Sequence, residues 1–473
     1  MESTTRPSFS GIRGLRPQPS VLTKLLTMGV LTLGLLIPLA MVSSMVRERE
    51  GRQLEAEQEV TRSWGQAQTL VGPFLSVPYT RVASSVGMIT TEEGEAVLLP
   101  SALEAKVELI PEIRQLGIFQ VVLYRARVRL EGRFDQPGTD LVAQATHPLS
   151  WDEASLVLGV PDLRGLQNDL EISWDGKELP LEPGTSGSQL VACGLHLPLK
   201  DIAPSGEEGA EPERAKEFHL ELMLNGSREL RIAPVGRTSV ITVSSAWPDP
   251  SFVGSYLPTE RQVTEEGFTA RWEVSFLSRG YPEGWNSHRV PDGERRLAVL
   301  GSAVGVELRD LVTGYRKTER STKYAVLFIV VTFGTFFLFE VFRPAVLHSM
   351  HYLLVGFALC IFYLLLLSIS EFLPFGGAYG ISTAAVVVLI TGYSRSILGD
   401  GRRGLFIGGV LAGLYGYLYV LLQLRDLALL LGTVGLFVIL AAFMYLTRNV
   451  DWHELRIGRQ GGPEPAESTS AMG

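Results

Sequence analysis

The stretch from Ser321 to Glu371 constrains this chain more than any other. It reads STKYAVLFIVVTFGTFFLFEVFRPAVLHSMHYLLVGFALCIFYLLLLSISE. Two apolar runs, Tyr324–Phe339 and Tyr352–Ile369, flank a polar joint from Arg343 to His351. Each run approaches the roughly 20 residues that cross a ~30 Å hydrocarbon core. Neither alternates as a strand would, and in lipid the backbone must close its own hydrogen bonds. The stretch therefore predicts a transmembrane helical hairpin.

Two carboxylates, Glu340 and Glu371, end the two runs. At about 1.5 Å per residue the second helix would hold them about 30 Å apart, one per leaflet. That excludes a paired general acid and base, which needs carboxyl groups within about 10 Å. Arg343 stands three residues after Glu340, in reach of a helical pair, and Lys323 starts its helix near the face where Glu371 ends. Two readings stay open: interfacial groups reaching to water, or members of a polar path or coupling contact.

Further apolar runs place more helices around this hairpin. Leu25–Val46 follows a polar leader, and Ala378–Tyr393, Leu405–Leu422 and Leu427–Leu446 follow Glu371. The first run exceeds the 7–15 residues typical of a signal peptide and lacks a clear cleavage site, so an uncleaved signal anchor is expected. Pro38 is its one obvious breaker. Residues 47–322 hold no run of spanning length. They carry strand-like segments, among them Phe74–Val82, Phe119–Gly132, Leu170–Trp174, Phe218–Leu224, Leu230–Ile232, Ser239–Ser244 and Gly267–Phe276. Turn signals divide them at Asp135-Gln136-Pro137-Gly138, Asp175-Gly176, Glu182-Pro183-Gly184 and Asn225-Gly226. A mainly antiparallel, sandwich-like β domain is expected, with helix mainly near the membrane around Glu50–Ser63 and a mobile acidic loop at Ala203–Ala215.

The expected fold class is thus a multi-pass α-helical membrane protein with six transmembrane helices and a large β domain between helices 1 and 2. Its parts are a disordered leader (1–24), a signal-anchor helix (25–46), the β domain (47–322), a five-helix bundle (323–447) and a polar tail (448–473). The bundle helices are expected at about 324–341, 352–370, 378–394, 405–422 and 427–446. Cations favour one side of the membrane: the leader, Arg343, Arg395 with Arg402 and Arg403, and Arg448, Arg456 and Arg459. The opposite short loops hold only Arg425, beside Asp426, and the Glu371–Gly377 turn. The bias predicts cytoplasmic termini and a periplasmic β domain in a bacterial inner membrane. Gly404, Gly408, Ala412 and Gly416 recur every four residues, which suits close packing inside the bundle or a homo-oligomer seam.

Composition narrows the chemistry. A net charge of −8 without a basic face argues against nucleic acid. Cys193 and Cys360 lie far apart, the first in the β domain and the second in a hairpin helix, so no disulfide is expected. No metal-ligand spacing, nucleophile elbow, phosphate loop or dinucleotide fingerprint occurs. His147, His196, His219 and His288 are scattered singly, and His348 with His351 forms the one close pair. No metal or cofactor is expected.

Several segments resemble one family in the same order: LVGPFLSVPY (Leu70–Tyr79), WPDPSF (Trp247–Phe252), LPTERQVTEEGFTARW (Leu257–Trp272), the two hairpin helices and ALLLGTVGLFVILAAFMYLTRNVDW (Ala428–Trp452). This is similar to the CreD family of bacterial inner membrane proteins, the cell envelope integrity family. The likeness covers nearly all of Lys24–Leu455. It implies a role in envelope integrity, in some bacteria under a carbon-source-responsive two-component system and in β-lactam response. It supplies no catalytic residue.

The expected function is a non-enzymatic envelope protein whose β domain meets a periplasmic partner. The alternatives are a transporter or channel working through a charged membrane rim, and an enzyme. Candidate functional residues are Lys323, Glu340, Arg343, Glu371, Arg425 and Asp426. Tyr324, Tyr352, Trp272 and Trp452 read as packing or interface anchors.

Overall fold

The computed structural model describes residues 21–85, 88–135, 149–167, 170–199, 215–286, 292–308, 314–342, 348–424 and 427–448. Residues 1–20 of the leader, residues 203–214 of the acidic loop, most of the tail with Trp452, and Arg343, Arg425 and Asp426 lie outside these residues, and the last four leader residues, Val21 to Lys24, already belong to the first helix. The chain divides into two compact units, one of residues 52–311 and one of residues 1–51 with 312–473.

Among the described residues, the first unit is built from two nine-stranded sheets. In one, the spatial order is Pro250–Gly254, Val304–Leu308, Glu229–Ile232, Gln68–Ser85, Ser155–Gly159, Gly194–Pro198 and Glu182–Pro183. Met88–Leu98 also pairs with Gln68–Ser85 and carries Gly284–Asn286. In the other, the order is Glu260–Thr264, Gly267–Ser275, Thr238–Ser245, Ala102–Leu116, Phe119–Phe134, Lys216–Ser227, Glu171–Trp174 and Lys177–Pro180, with Leu166–Gln167 added on Lys216–Ser227. Pairing is mainly antiparallel. Two parallel pairs, Gln68–Leu70 with Leu230–Ile232 and Thr238–Ser245 with Ala102–Leu109, modify that expectation.

Period-two patterning explains the strands. Leu103, Ala105, Val107 and Leu109 point inward while Glu104, Lys106 and Glu108 point out. Opposite them Ala126, Val128 and Leu130 are buried and Arg125, Arg127 and Arg129 exposed. Both sheets feed one hydrophobic core, in which Phe74, Phe134 and Trp272 are fully buried. Trp272 donates its indole N–H to the Tyr256 carbonyl at 3.1 Å, which satisfies its one polar atom.

One turn signal is corrected. Asn225-Gly226 lies inside the strand Lys216–Ser227, and the chain reverses after it at Arg228, whose φ is +58°. Gly226 is needed for space: a Cβ there would collide with the Tyr124 hydroxyl, which donates to the Glu229 carbonyl. Asp175-Gly176 is a hairpin turn, with φ of +51° and +79° between Glu171–Trp174 and Lys177–Pro180.

Helix α1 runs unbroken from Val21 to Trp64, with Pro38 inside it. The helix expected near Glu50–Ser63 is therefore a continuation of the apolar anchor. Its last turn is held in the β unit. Arg164 donates to the Arg62 carbonyl at 2.7 Å, and Asp162 accepts from Gln66 N at 3.1 Å. Arg164 also grips Asp162 at 2.8 and 2.9 Å. That guanidinium, aided by the backbone N–H groups of Gln66 and Arg164, holds the Asp162 carboxyl below the usual carboxylate range. A short helix, α2 (Asp292–Gly301), completes this unit.

The second unit holds α3 (Gly314–Lys323), α4 (Ala325–Phe342), α5 (Ser349–Ser370), α6 (Phe375–Leu398), α7 (Gly401–Gln423) and α8 (Ala428–Thr447), with α1 up to Gly51. Among the described residues five helices are long and apolar enough to cross a membrane. Residues 317–340 add a sixth candidate if Lys317–Lys323 and Ala325–Glu340, bent by 44°, count as one span. Five of the six expected spans are thus present as single helices, and the sixth corresponds to the bent pair. Helix α3 falls within the range expected for the β domain, yet it belongs to the helical unit. It buries Thr318, Ser321 and Thr322, small polar side chains that an apolar count passes over.

Candidate functional site at the ends of the helical unit

Glu340, near the last turn of α4, is 7% exposed at its side chain. It forms an ion pair with Lys24 of α1 and accepts from the Tyr352 hydroxyl of α5 at 3.2 Å. Three helices thus meet on one carboxylate. Tyr352 also packs edge-on against Phe333 and Phe336 of α4, with ring centroids at 5.4 and 6.1 Å. Glu371, at the end of α5, is 10% exposed and faces Arg49 of α1 at 3.4 Å.

The two clamps follow one geometry. Lys24 and Arg49 lie on one helix, about 37 Å apart at 1.5 Å per residue. That length exceeds the ~30 Å of a hydrocarbon core, so each pair can sit where a charged head reaches water. The arrangement also requires α1 and α5 to run in the same direction and α4 in the opposite one.

The partners differ from those suggested by proximity in sequence. Lys323 pairs with Glu319 one turn earlier at 3.4 Å, and Glu371 with Arg49. Glu340 is engaged by Lys24 and Tyr352, and Arg343 lies outside the described residues. Lys24 and Arg49 were missed because their partners are hundreds of residues away. Their signal was the cation at each end of the first apolar helix.

A second group surrounds α3. Arg320 donates to the carbonyls of Leu421 and Leu424 at 3.4 and 3.3 Å, closing the C-terminus of α7 where free carbonyls and the helix dipole favour a cation. Lys317 donates to Gln423 at 3.3 Å and lies 5.4 Å above the Phe375 ring. These residues were also missed, because GYRKTERSTK reads as plain polar linker.

The glycine stripe on α7 divides. A Cβ on Gly404 or Gly408 would run into Arg395 or Thr391 of α6, so these two admit close packing of α6. Ala412 and Gly416 are exposed. His351 shares a 2.9 Å hydrogen bond with Tyr393, and no group of three or more metal-ligating side chains occurs among the described residues. Cys193 and Cys360 are free thiols, the first exposed and the second buried.

Comparison with known proteins fits this architecture. The family described as "Inner membrane protein CreD" matches residues 20–453. The Inner membrane protein CreD of Escherichia coli (strain K12) is 32% identical over 424 residues, covering 89% of this chain and 91% of that protein. A multi-pass apolar helical unit, a large β unit and a match across nearly the whole length lead to one conclusion: the chain belongs to the CreD family of inner membrane proteins.

Proposed function

We propose that this protein is a non-enzymatic scaffold of the inner membrane, supporting envelope integrity or stress response by presenting its β domain to a periplasmic partner. The observation that carries this reading is the double clamp on α1. Both carboxylates at the ends of the hairpin helices are engaged by cations of the anchor helix, so their use is to fix that helix. A transport role would need such groups available to a passing solute. The cation bias of the short loops supports cytoplasmic termini and a periplasmic β domain.

The surface offered to a partner is the outer face of the second sheet. Arg125, Arg127 and Arg129 form a row there, and Arg127 and Arg129 face Glu108 and Glu221 at 2.8 and 3.2 Å. Exposed pairs of this kind add little stability and are easily exchanged for an incoming charged surface. The test is in-cell photocrosslinking from residue 127 or 129, with captured species identified by mass spectrometry. A reproducible envelope protein supports the scaffold. Capture of lipid and small molecules alone counts against it.

A further inference from the structure

The strands Ala102–Leu116 and Phe119–Phe134 outrun their neighbours in the second sheet. Thr238–Ser245 lies beside the first only as far as Leu109, and Lys216–Ser227 beside the second only from Leu123. Among the described residues, Ile113–Leu116 and Phe119–Val122 pair only with each other. The result is a two-stranded arm, a form that is marginal in water by itself. Its tip is the two-residue turn Gly117-Ile118, in which Gly117 takes φ of +62°. Turns favour Gly, Pro, Asn, Asp and Ser, yet this one is apolar. Ile113 and Ile118 are 51% and 40% exposed, with Leu116 and Phe119 half-buried beside them.

Contacts at its root give the arm a direction within the β unit. Trp64, the last residue of α1, donates its indole N–H to the Tyr124 carbonyl at 3.3 Å, and the Arg114 guanidinium lies 3.9 Å over the Trp64 ring. Nearer the tip, the Val122 carbonyl accepts from Arg228 N at 3.5 Å, and the Arg228 guanidinium reaches Glu57 at 3.1 Å. Glu57 precedes Trp64 on α1, so the arm runs back along that helix toward Gly51. The last strand of the unit ends at the same place, where Leu308 donates to the Arg228 carbonyl at 2.7 Å. The chain therefore enters and leaves the β unit at the end that the tip occupies.

Lengths decide what the tip meets. From Trp64 back to Val46, where the apolar run of α1 ends, is about 27 Å of helix. From Tyr124 to Ile118 the arm extends about 20 Å. The difference, about 7 Å, matches one polar headgroup layer, since a bilayer about 40–45 Å thick encloses a hydrocarbon core of about 30 Å. We propose that the tip, Ile113 to Phe119, rests on the bilayer surface and gives the β unit a second foothold beside α1. Exposed isoleucines suit that place, because apolar side chains gain by entering the boundary between headgroups and acyl chains. The contact is with lipid, and it is independent of any partner met by the rest of the β unit.

The test uses the full-length protein in nanodiscs of phosphatidylethanolamine and phosphatidylglycerol. A Cys193→Ser background removes the exposed thiol and leaves Cys360 buried. Ile118→Cys is labelled with an environment-sensitive fluorophore, and the unsubstituted background sets the baseline. Leu277→Cys is the control. Leu277 is also exposed, but it follows Ser275, which aligns through Thr238 with Ala102 at the opposite end of the sheet. Lipid carrying a nitroxide on its headgroup is then added to the discs. A label seated about 5–10 Å into the interface should lose about half of its emission or more, while the control loses little. No quenching at residue 118 overturns the proposal; blue-shifted emission there would assign the tip to a protein surface, and water-like emission to solvent. Equal quenching at both positions also overturns it, since lipid contact would then not belong to the tip. Thermal unfolding confirms that each labelled variant is folded, and Gln120→Cys, next to the turn, replaces Ile118→Cys if that variant is not.

Discussion

At the scale of single residues, Glu340 carries the most. Glu340→Gln keeps the shape but leaves the Lys24 ammonium, only 23% exposed, without its counter-charge. We expect a loss of about 2 kcal/mol, less than for a fully buried pair because water still reaches Lys24. Glu371→Gln should cost less, about 1 kcal/mol or under, since Arg49 is 36% exposed. Thermal unfolding of both variants in one detergent checks the order; a Glu371 effect exceeding the Glu340 effect would refute it. In the β domain, Gly226→Ala drives a methyl into the Tyr124 phenol. A loss of about 1–3 kcal/mol is expected, as for overpacked cores.

At the scale of elements, the end of α1 depends on Asp162. Its folded pKa lies below the unfolded value of about 3.9. The group therefore stabilises the fold above that pH, and the contribution is lost as pH falls toward the folded value. Asp162→Asn should destabilise at neutral pH, with the gap to wild type narrowing below about pH 4. Unfolding scans across that range check the sign. Arg320→Ala should loosen the last turn of α7, raising amide exchange at its C-terminus while leaving the middle of the helix unchanged. The strands were legible where apolar and charged residues alternate, as in the segment expected at Phe119–Gly132 and found at Phe119–Phe134. So were the long apolar helices. Helix α3 was not, since its buried face is Thr and Ser. The site was half legible: Glu340 and Glu371 stand out as charges ending apolar runs, while Lys24 and Arg49 meet them only through the tertiary fold. Local spacing can propose Arg343 or Lys323 as a partner, but it cannot see across the chain.

At the scale of the molecule, the cation bias makes a sidedness prediction. A reporter enzyme active only outside the cytoplasm should work when inserted in Ala203–Ala215 and fail when joined at Gly399 or after Thr447. Activity at Gly399 would reverse the assigned orientation. The match along residues 20–453 means that the same test on the Escherichia coli relative should give the same pattern.

The Lys24–Glu340 contact also sets a timetable. The two residues are separated by 316 positions, with the whole β unit between them. At a synthesis rate of about 5–20 residues per second, Lys24 emerges some 15–60 s before its carboxylate exists. During that interval α1 must stay in the bilayer alone, held by its own apolar length. The exposed flank of Leu26, Val30, Leu33 and Ile37 equips it to do so. The clamp is then a late event of assembly, closed when α4 and α5 arrive beside a helix already waiting in the membrane.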